Sequence, residues 1–289
     1  MEKDINWEIK QQGIADLQTG KVISGWKSIT REKPNGEDVV FHIAKNSYNP
    51  PSIAEFKGYY NQLQKITGFR PEGFQTWNNG KLVFGYLRNT KNKFEIDGHY
   101  IEDYLLISVG FTGNNSFSVG SVNKLLRCQN EFGNINRMWS IKNTASRQIK
   151  TEELMDSFEQ HIAVRNLMFE SFNRFKNVKI DQKIINDCKR SLMEMEQGET
   201  VQDLGKIRAN NYMQLSSAIA NETAELGKNL WGLFNGVTKH TTWNLERNQS
   251  ERNIFGNVVK GETRYKMNKN AYDFCNQYAE NEKGILLPS

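Results

Sequence analysis

Three features of the 289-residue chain predict an α+β fold, in which an N-terminal antiparallel β-meander with one or two helices leads into a C-terminal helical region packed as one unit. Short β-type apolar runs, some alternating, fill residues 1–150, and tight-turn dipeptides separate them. From Thr151 onward the apolar spacing changes to the period of helices. Residues 1–150 are therefore expected to form an antiparallel sheet region. Residues 151–289 are expected to form a helical region integrated with it.

The elements follow in order. Val39-Val40-Phe41-His42-Ile43 alternates as a strand with Val39, Phe41 and Ile43 on one face. Ser52 can cap a helix from about Ile53 to Ile66 that carries Phe56, Tyr60 and Leu63 on one side. Phe74 to Trp77 and Leu82 to Arg88 flank Asn78-Asn79-Gly80-Lys81, where Asn-Gly supplies the positive φ angles of a hairpin turn. Asp97-Gly98 joins Lys93–Ile96 to the strand Tyr100–Val109, and Gly113-Asn114-Asn115 turns into Ser116–Val119. Phe111 to Ser116 is rich in Gly and Asn but lies between strands, which makes it a hairpin loop and not a phosphate cradle.

A helix from Thr151 to about Phe175 presents Leu154, Phe158, Ile162, Met168, Phe169, Phe172 and Phe175 as one stripe. Asp181 caps a second helix with Ile184, Ile185, Cys188, Leu192 and Met195 inward. A third, from about Val201 to Leu226, aligns Leu204, Ile207, Leu215, Ile219 and Leu226 and stops at Gly227. Lys228–Thr238 and Met267–Glu280 read as two more. After the meander, Leu125, Leu126 and Cys128 are expected to pack the first helix, with Lys124, Arg127 and Gln129 outward.

Composition excludes several classes. No apolar run approaches a membrane span, and Met1–Lys10 lacks the pattern of a secretory signal, so a cytoplasmic protein is expected, in the host cell's cytoplasm if a phage encodes it. Cys128, Cys188 and Cys275 are odd in number and far apart, which suggests neither disulfides nor zinc. Phosphate-loop, nucleophile-elbow and metalloprotease-helix patterns are absent, and His42, His99, His161 and His240 are scattered. No cofactor or metal is expected. His161 and Arg165 sit one turn apart in the apolar stripe, so Arg165 needs an acidic or backbone partner, for which Glu222 is a candidate.

Charge points the other way, towards a polyanion. The net charge is +5, yet residues 1–150 hold 20 Lys and Arg against 14 Asp and Glu, and Gly120–Lys150 holds six cations with Glu131 as its one acid. If Ile135–Lys142 is a strand, Ile135, Arg137, Trp139 and Ile141 share a face. A guanidinium then lies beside an indole on which a base can stack while phosphates pair with cations. The alternative, Trp139 packed in the core with Arg137 at its edge, stays open. A second cluster, Lys239, His240, Trp243, Arg247 and Arg252, is diluted by Glu246 and Glu251.

These residues also carry a resemblance. Asn46-Ser47-Tyr48-Asn49-Pro50, Tyr104–Ser108, Val122–Asn130 with its Arg-Cys-Gln-Asn ending, and Gly227–Thr238 together resemble the phage/plasmid-like protein family, a family of unknown function from phages and plasmids. Two departures stand out. Lys142-Asn143-Thr144 takes the place of the family's Arg-His-Thr, and Arg127 lies directly beside Cys128. The resemblance implies a mobile-DNA setting, and its outline is similar to phage single-strand annealing proteins.

The combined expectation is an ATP-independent nucleic-acid-binding protein, specific for single-stranded DNA, forming a homo-oligomer and acting in strand annealing during recombination. Lys124, Arg127, Arg137, Lys142 and Arg147 would hold phosphates, Trp139 would stack, and Lys239 and Arg247 would extend the surface. A metal-dependent nuclease of a mobile element, and an interaction factor such as an inhibitor of host defence, are the alternatives.

Overall fold

The structure is a computed structural model that describes residues 5–33, 35–77, 79–91, 94–96, 98–113, 117–125, 131–132, 139–142, 150–244 and 263–281. The fold is α+β, with antiparallel sheets first and packed helices after them. The chain forms two compact units. One comprises Met1–Asn92, Tyr104–Ser121 and Asn136–Ile162, the other Lys93–Asp103, Val122–Ile135 and Ala163–Ser289. Each takes residues from both sides of position 150, so neither coincides with the halves marked by the change of period.

In the first unit, β1 (Ile9–Ala15), β2 (Val22–Glu32) and β3 (Asp38–Lys45) form an antiparallel sheet in that order. The β1–β2 turn is held by Asp16, whose Oδ1 accepts from the Thr19 N–H at 2.7 Å and the Thr19 hydroxyl at 2.8 Å. β1 and β2 escape the sequence reading because most of their side chains are at least partly exposed.

One expectation for β3 is corrected. Ile29 pairs with His42 but Thr30 pairs with Val40, so Phe41 is an extra, bulged residue. Alternation slips by one across it: Phe41 and Ala44 are buried, whereas Ile43, expected on the same face as Phe41, is 49% exposed.

α1 (Ile53–Thr67) starts at a capping box. The Glu55 N–H donates to Ser52 Oγ at 3.1 Å and the Ser52 N–H to Glu55 Oε2 at 2.7 Å. It ends at Gly68, in the left-handed region at φ 64°. Its buried face of Phe56, Tyr60 and Leu63 is the expected one. β4 (Arg70–Trp77) and β5 (Leu82–Arg88) form the expected hairpin, with Asn79 at φ 56° and Gly80 at φ 89°. β5 continues the path to β7 (His99–Gly110), then β8 (Phe117–Leu125), then β10 (Trp139–Ile141). Phe56 packs against Phe74 and Phe117, which seats α1 on this sheet. The first part of α2 (Thr151–Asn177) adds Leu154 and Phe158 to the same core.

β8 runs beyond Val119 to Leu125, so Leu125 extends a strand and does not open a helix. Residues 119–123 are all buried. A strand covered on both faces loses the alternation by which strands are recognised.

In the second unit, β6 (Phe94–Ile96) pairs with the start of β7, and β9 (Glu131–Phe132) with the end of β8. The rest of α2 joins α3 (Gln182–Leu192), α4 (Lys206–Leu226), α5 (Leu230–Lys239) and α6 (Thr263–Asn281). The Ile184 N–H donates to Asp181 Oδ1 at 2.9 Å, the expected cap of α3. The expected third helix is shorter at its start. A single 3₁₀ turn, Val201–Asp203, precedes Gly205, and α4 begins after it, so Ile207 falls in an exposed first turn at 68% exposure.

α5 lies at the centre of its unit. Every residue from Leu230 to Thr238 is buried, so an apolar Gly-rich sequence becomes a core helix and not an amphipathic one. Asn229 caps it by accepting from the Gly232 N–H at 2.9 Å. Among the described residues no helix is long and apolar enough to cross a membrane.

Candidate nucleic-acid interface

Within 120–150 the described residues are the end of β8, then β9, β10, Lys142 and Lys150. Lys124 lies in β8 with Glu131 of β9 as its pairing partner. Trp139 opens β10 opposite Val119, and Ile141 lies opposite Phe117; both β8 residues are buried. The side chains of Lys124 and Trp139 lie outside the described residues, as do Arg127, Arg137 and Arg147 altogether.

Two cations of the stretch can be placed. Lys142, directly after β10, is exposed, and so is Lys150, whose backbone N–H donates to Glu153 Oε2 at 3.4 Å at the start of α2. β10 ends the strand path, with β8 as its partner among the described strands. Lys142 directly follows this end strand and is exposed.

The second cluster is dispersed by the fold. Lys239 donates to Glu222 Oε1 at 2.7 Å, and Glu222 is 1% exposed, so this ammonium neutralises a buried carboxylate. Its expected place in a phosphate surface is withdrawn, because releasing it would leave Glu222 charged and unpaired. Glu222 is likewise not the partner of Arg165. Arg165 instead pairs with Asp103 of β7 at 3.5 Å and lies 5.0 Å from the centre of the Phe94 ring. Arg247 and Arg252 lie outside the described residues.

His240 also leaves the cluster. It opens a π-helical turn, His240–Asn244, after α5, and its ring is fully buried with neither nitrogen hydrogen-bonded. Burial, reinforced by the nearby Arg264 charge, pushes its pKa down to about 4. It is neutral at pH 7 and offers a phosphate no charge.

The unfolded chain binds a proton at His240 near its ordinary value of 6.5, whereas the folded chain resists one down to about 4. The unfolded state thus gains protons first as pH falls, and stability drops through this window, by up to ~3 kcal/mol. A His240→Leu variant is expected to lack that component. Urea unfolding of both proteins at stepped pH checks it, and parallel stability curves would refute it.

The remaining candidates are structural. His161 is fully buried beside Phe69 and Phe158, with ring centres 6.1 and 6.2 Å away. Cys188 and Cys275 are buried free thiols, and desolvation pushes Cys188 up to about 12, so neither is a ready nucleophile at pH 7. Among the described residues no group of three His, Cys, Asp or Glu could hold a metal ion.

Comparison with protein-family models, with curated proteins and with solved structures finds no match to this chain. The site is thus read from its own residues. The sequence reading missed an exposed apolar strip on the first sheet, formed by Trp26, Val40 and Ile43 at 41%, 53% and 49% exposure. The bulge at Phe41 that turns Ile43 outward is visible only once the pairing register is known.

Proposed function

We propose that the protein binds single-stranded DNA without ATP, in the setting of a phage or plasmid, and serves strand annealing in recombination. What supports this reading is the excess of six cations over one acid between Gly120 and Lys150, together with the exposure of both cations whose side chains are described, Lys142 and Lys150. Lys124, Arg127, Arg137, Lys142 and Arg147 hold phosphates in this proposal, with Trp139 as the stacking ring. Lys239 is left out, being paired with Glu222.

Phosphate contacts release counterions, so affinity falls with a power of salt concentration. For about six contacts to a single strand the loss is about 10²- to 10³-fold between about 50 and about 200 mM salt. Fluorescence anisotropy with a labelled oligonucleotide, in single- and double-stranded form, measures it. A variant with Arg127, Arg137 and Lys142 all changed to Ala is expected to bind more weakly, with a shallower salt dependence. No measurable binding by the wild type at low salt would end the proposal. Changing Trp139 to Ala separates the two roles open to that residue: lost affinity at unchanged stability supports stacking, and lost stability supports packing.

A further inference from the structure

We propose that β3 is an interface between two copies of this chain, each β3 pairing antiparallel with the other about a two-fold axis that passes between Phe41 and His42. β3 lies at one end of the order β1-β2-β3, and β2 is its partner among the described strands, which leaves its outer edge as a template for another strand. Edge strands are commonly protected by Pro or by charges along their length. Here Val39–Ala44 contains neither Pro nor any Asp, Glu, Lys or Arg, and Val40 and Ile43 are 53% and 49% exposed.

The partner is identified by self-complementarity. About that axis Asp38 faces Lys45 of the second copy, Val39 faces Ala44, and Val40 faces Ile43. Val39, Val40, Ile43 and Ala44 each meet an apolar side chain, Phe41 meets His42 at the axis, and each terminal charge meets its opposite, twice per dimer. Lys10, Glu32, Asp38 and Lys45 give this face charges of both signs, which suits a copy of the same surface and not a polyanion. Asp38 also lies 4.0 Å from Lys10, a solvent-exposed pair that leaves it accessible.

The bulge at Phe41 makes this register possible. In a regular strand, residues 40 and 43 point to opposite faces, so pairing them across a two-fold perpendicular to the sheet would set an outward side chain against an inward one. The extra residue removes that conflict. Val40 and Ile43 are both exposed, whereas Val39 is half-buried and Ala44 buried, so the strand shows the same in-and-out pattern read from either end.

Sedimentation velocity of the full chain, treated with nuclease and free of DNA, tests this proposal separately from DNA binding. The wild type is expected to dimerise with rising concentration. Lys45→Asp is expected to weaken the dimer about tenfold or more by setting like charges opposite each other. Adding Asp38→Lys to that variant is expected to restore it, because the pair is then exchanged. Val40→Lys with Ile43→Lys is expected to give a monomer whose circular dichroism matches the wild type. A wild type that stays monomeric up to its solubility limit overturns the interface, as does a double charge exchange no tighter than the single one. Either result leaves the DNA-binding proposal standing.

Discussion

Replacing Gly236 with Ala is expected to destabilise the protein by about 3 kcal/mol, from a single added methyl group. A Cβ at this position would lie 2.4 Å from the Cα of Ile219 and 2.9 Å from its backbone nitrogen. The obstacle is the main chain of α4, which no rotamer change can move aside, so α4 and α5 would have to separate along their contact. Gly232, one turn earlier, is as confined: its Cβ would lie 2.4 Å from the carbonyl oxygen of Gly227.

Gly58 provides the control. It lies on the exposed face of α1 with nothing within 4 Å of an added Cβ. Gly58→Ala is expected to stabilise by about 0.5–1 kcal/mol through helix propensity and lower unfolded-state entropy. Urea unfolding of the three proteins gives both signs at once, and a Gly236→Ala variant as stable as the wild type would show that α4 and α5 are not packed this closely.

The second large effect is expected at Asp103. Its carboxylate meets Arg165 at 3.5 Å, and the two side chains are 0% and 6% exposed. Asp103→Ala leaves the guanidinium beside the Phe94 ring without that counter-charge, at a cost of about 3–5 kcal/mol. Asp103→Leu with Arg165→Met removes both charges and keeps apolar volume, and is expected to lose much less than Asp103→Ala alone. A double-mutant cycle by chemical unfolding measures the coupling. Simple additivity of the single changes would mean that Arg165 draws its stability from Asn166, 3.2 Å away, and not from Asp103.

Both effects reflect how unevenly the sequence reveals this fold. Where the determining interaction spans four residues or fewer, as at the Ser52–Glu55 capping box, the Asn79-Gly80 turn or the Asp181 cap, it is legible and the structure agrees. The apolar stripe of α2 is equally plain, because helical period depends only on spacing. β1 and β2 are less so, since their exposed residues carry no period. The candidate site is less legible still. Its cations can be counted from the sequence, but that Lys239 serves Glu222 while Lys142 faces solvent depends on helices and strands distant along the chain.

The sequence by itself determined the α+β class, most of the helices and turns, and the basic excess of residues 120–150, all properties of local spacing and composition. The tertiary structure alone decided that Asp103 neutralises Arg165, that His240 is neutral, that Gly236 admits α4, and that a bulge at Phe41 turns Ile43 outward. Each of these rests on contacts or strand pairing between residues at least ten positions apart. The free energy of a buried charge, a bulge or a close approach is set by the partner, which local pattern does not name.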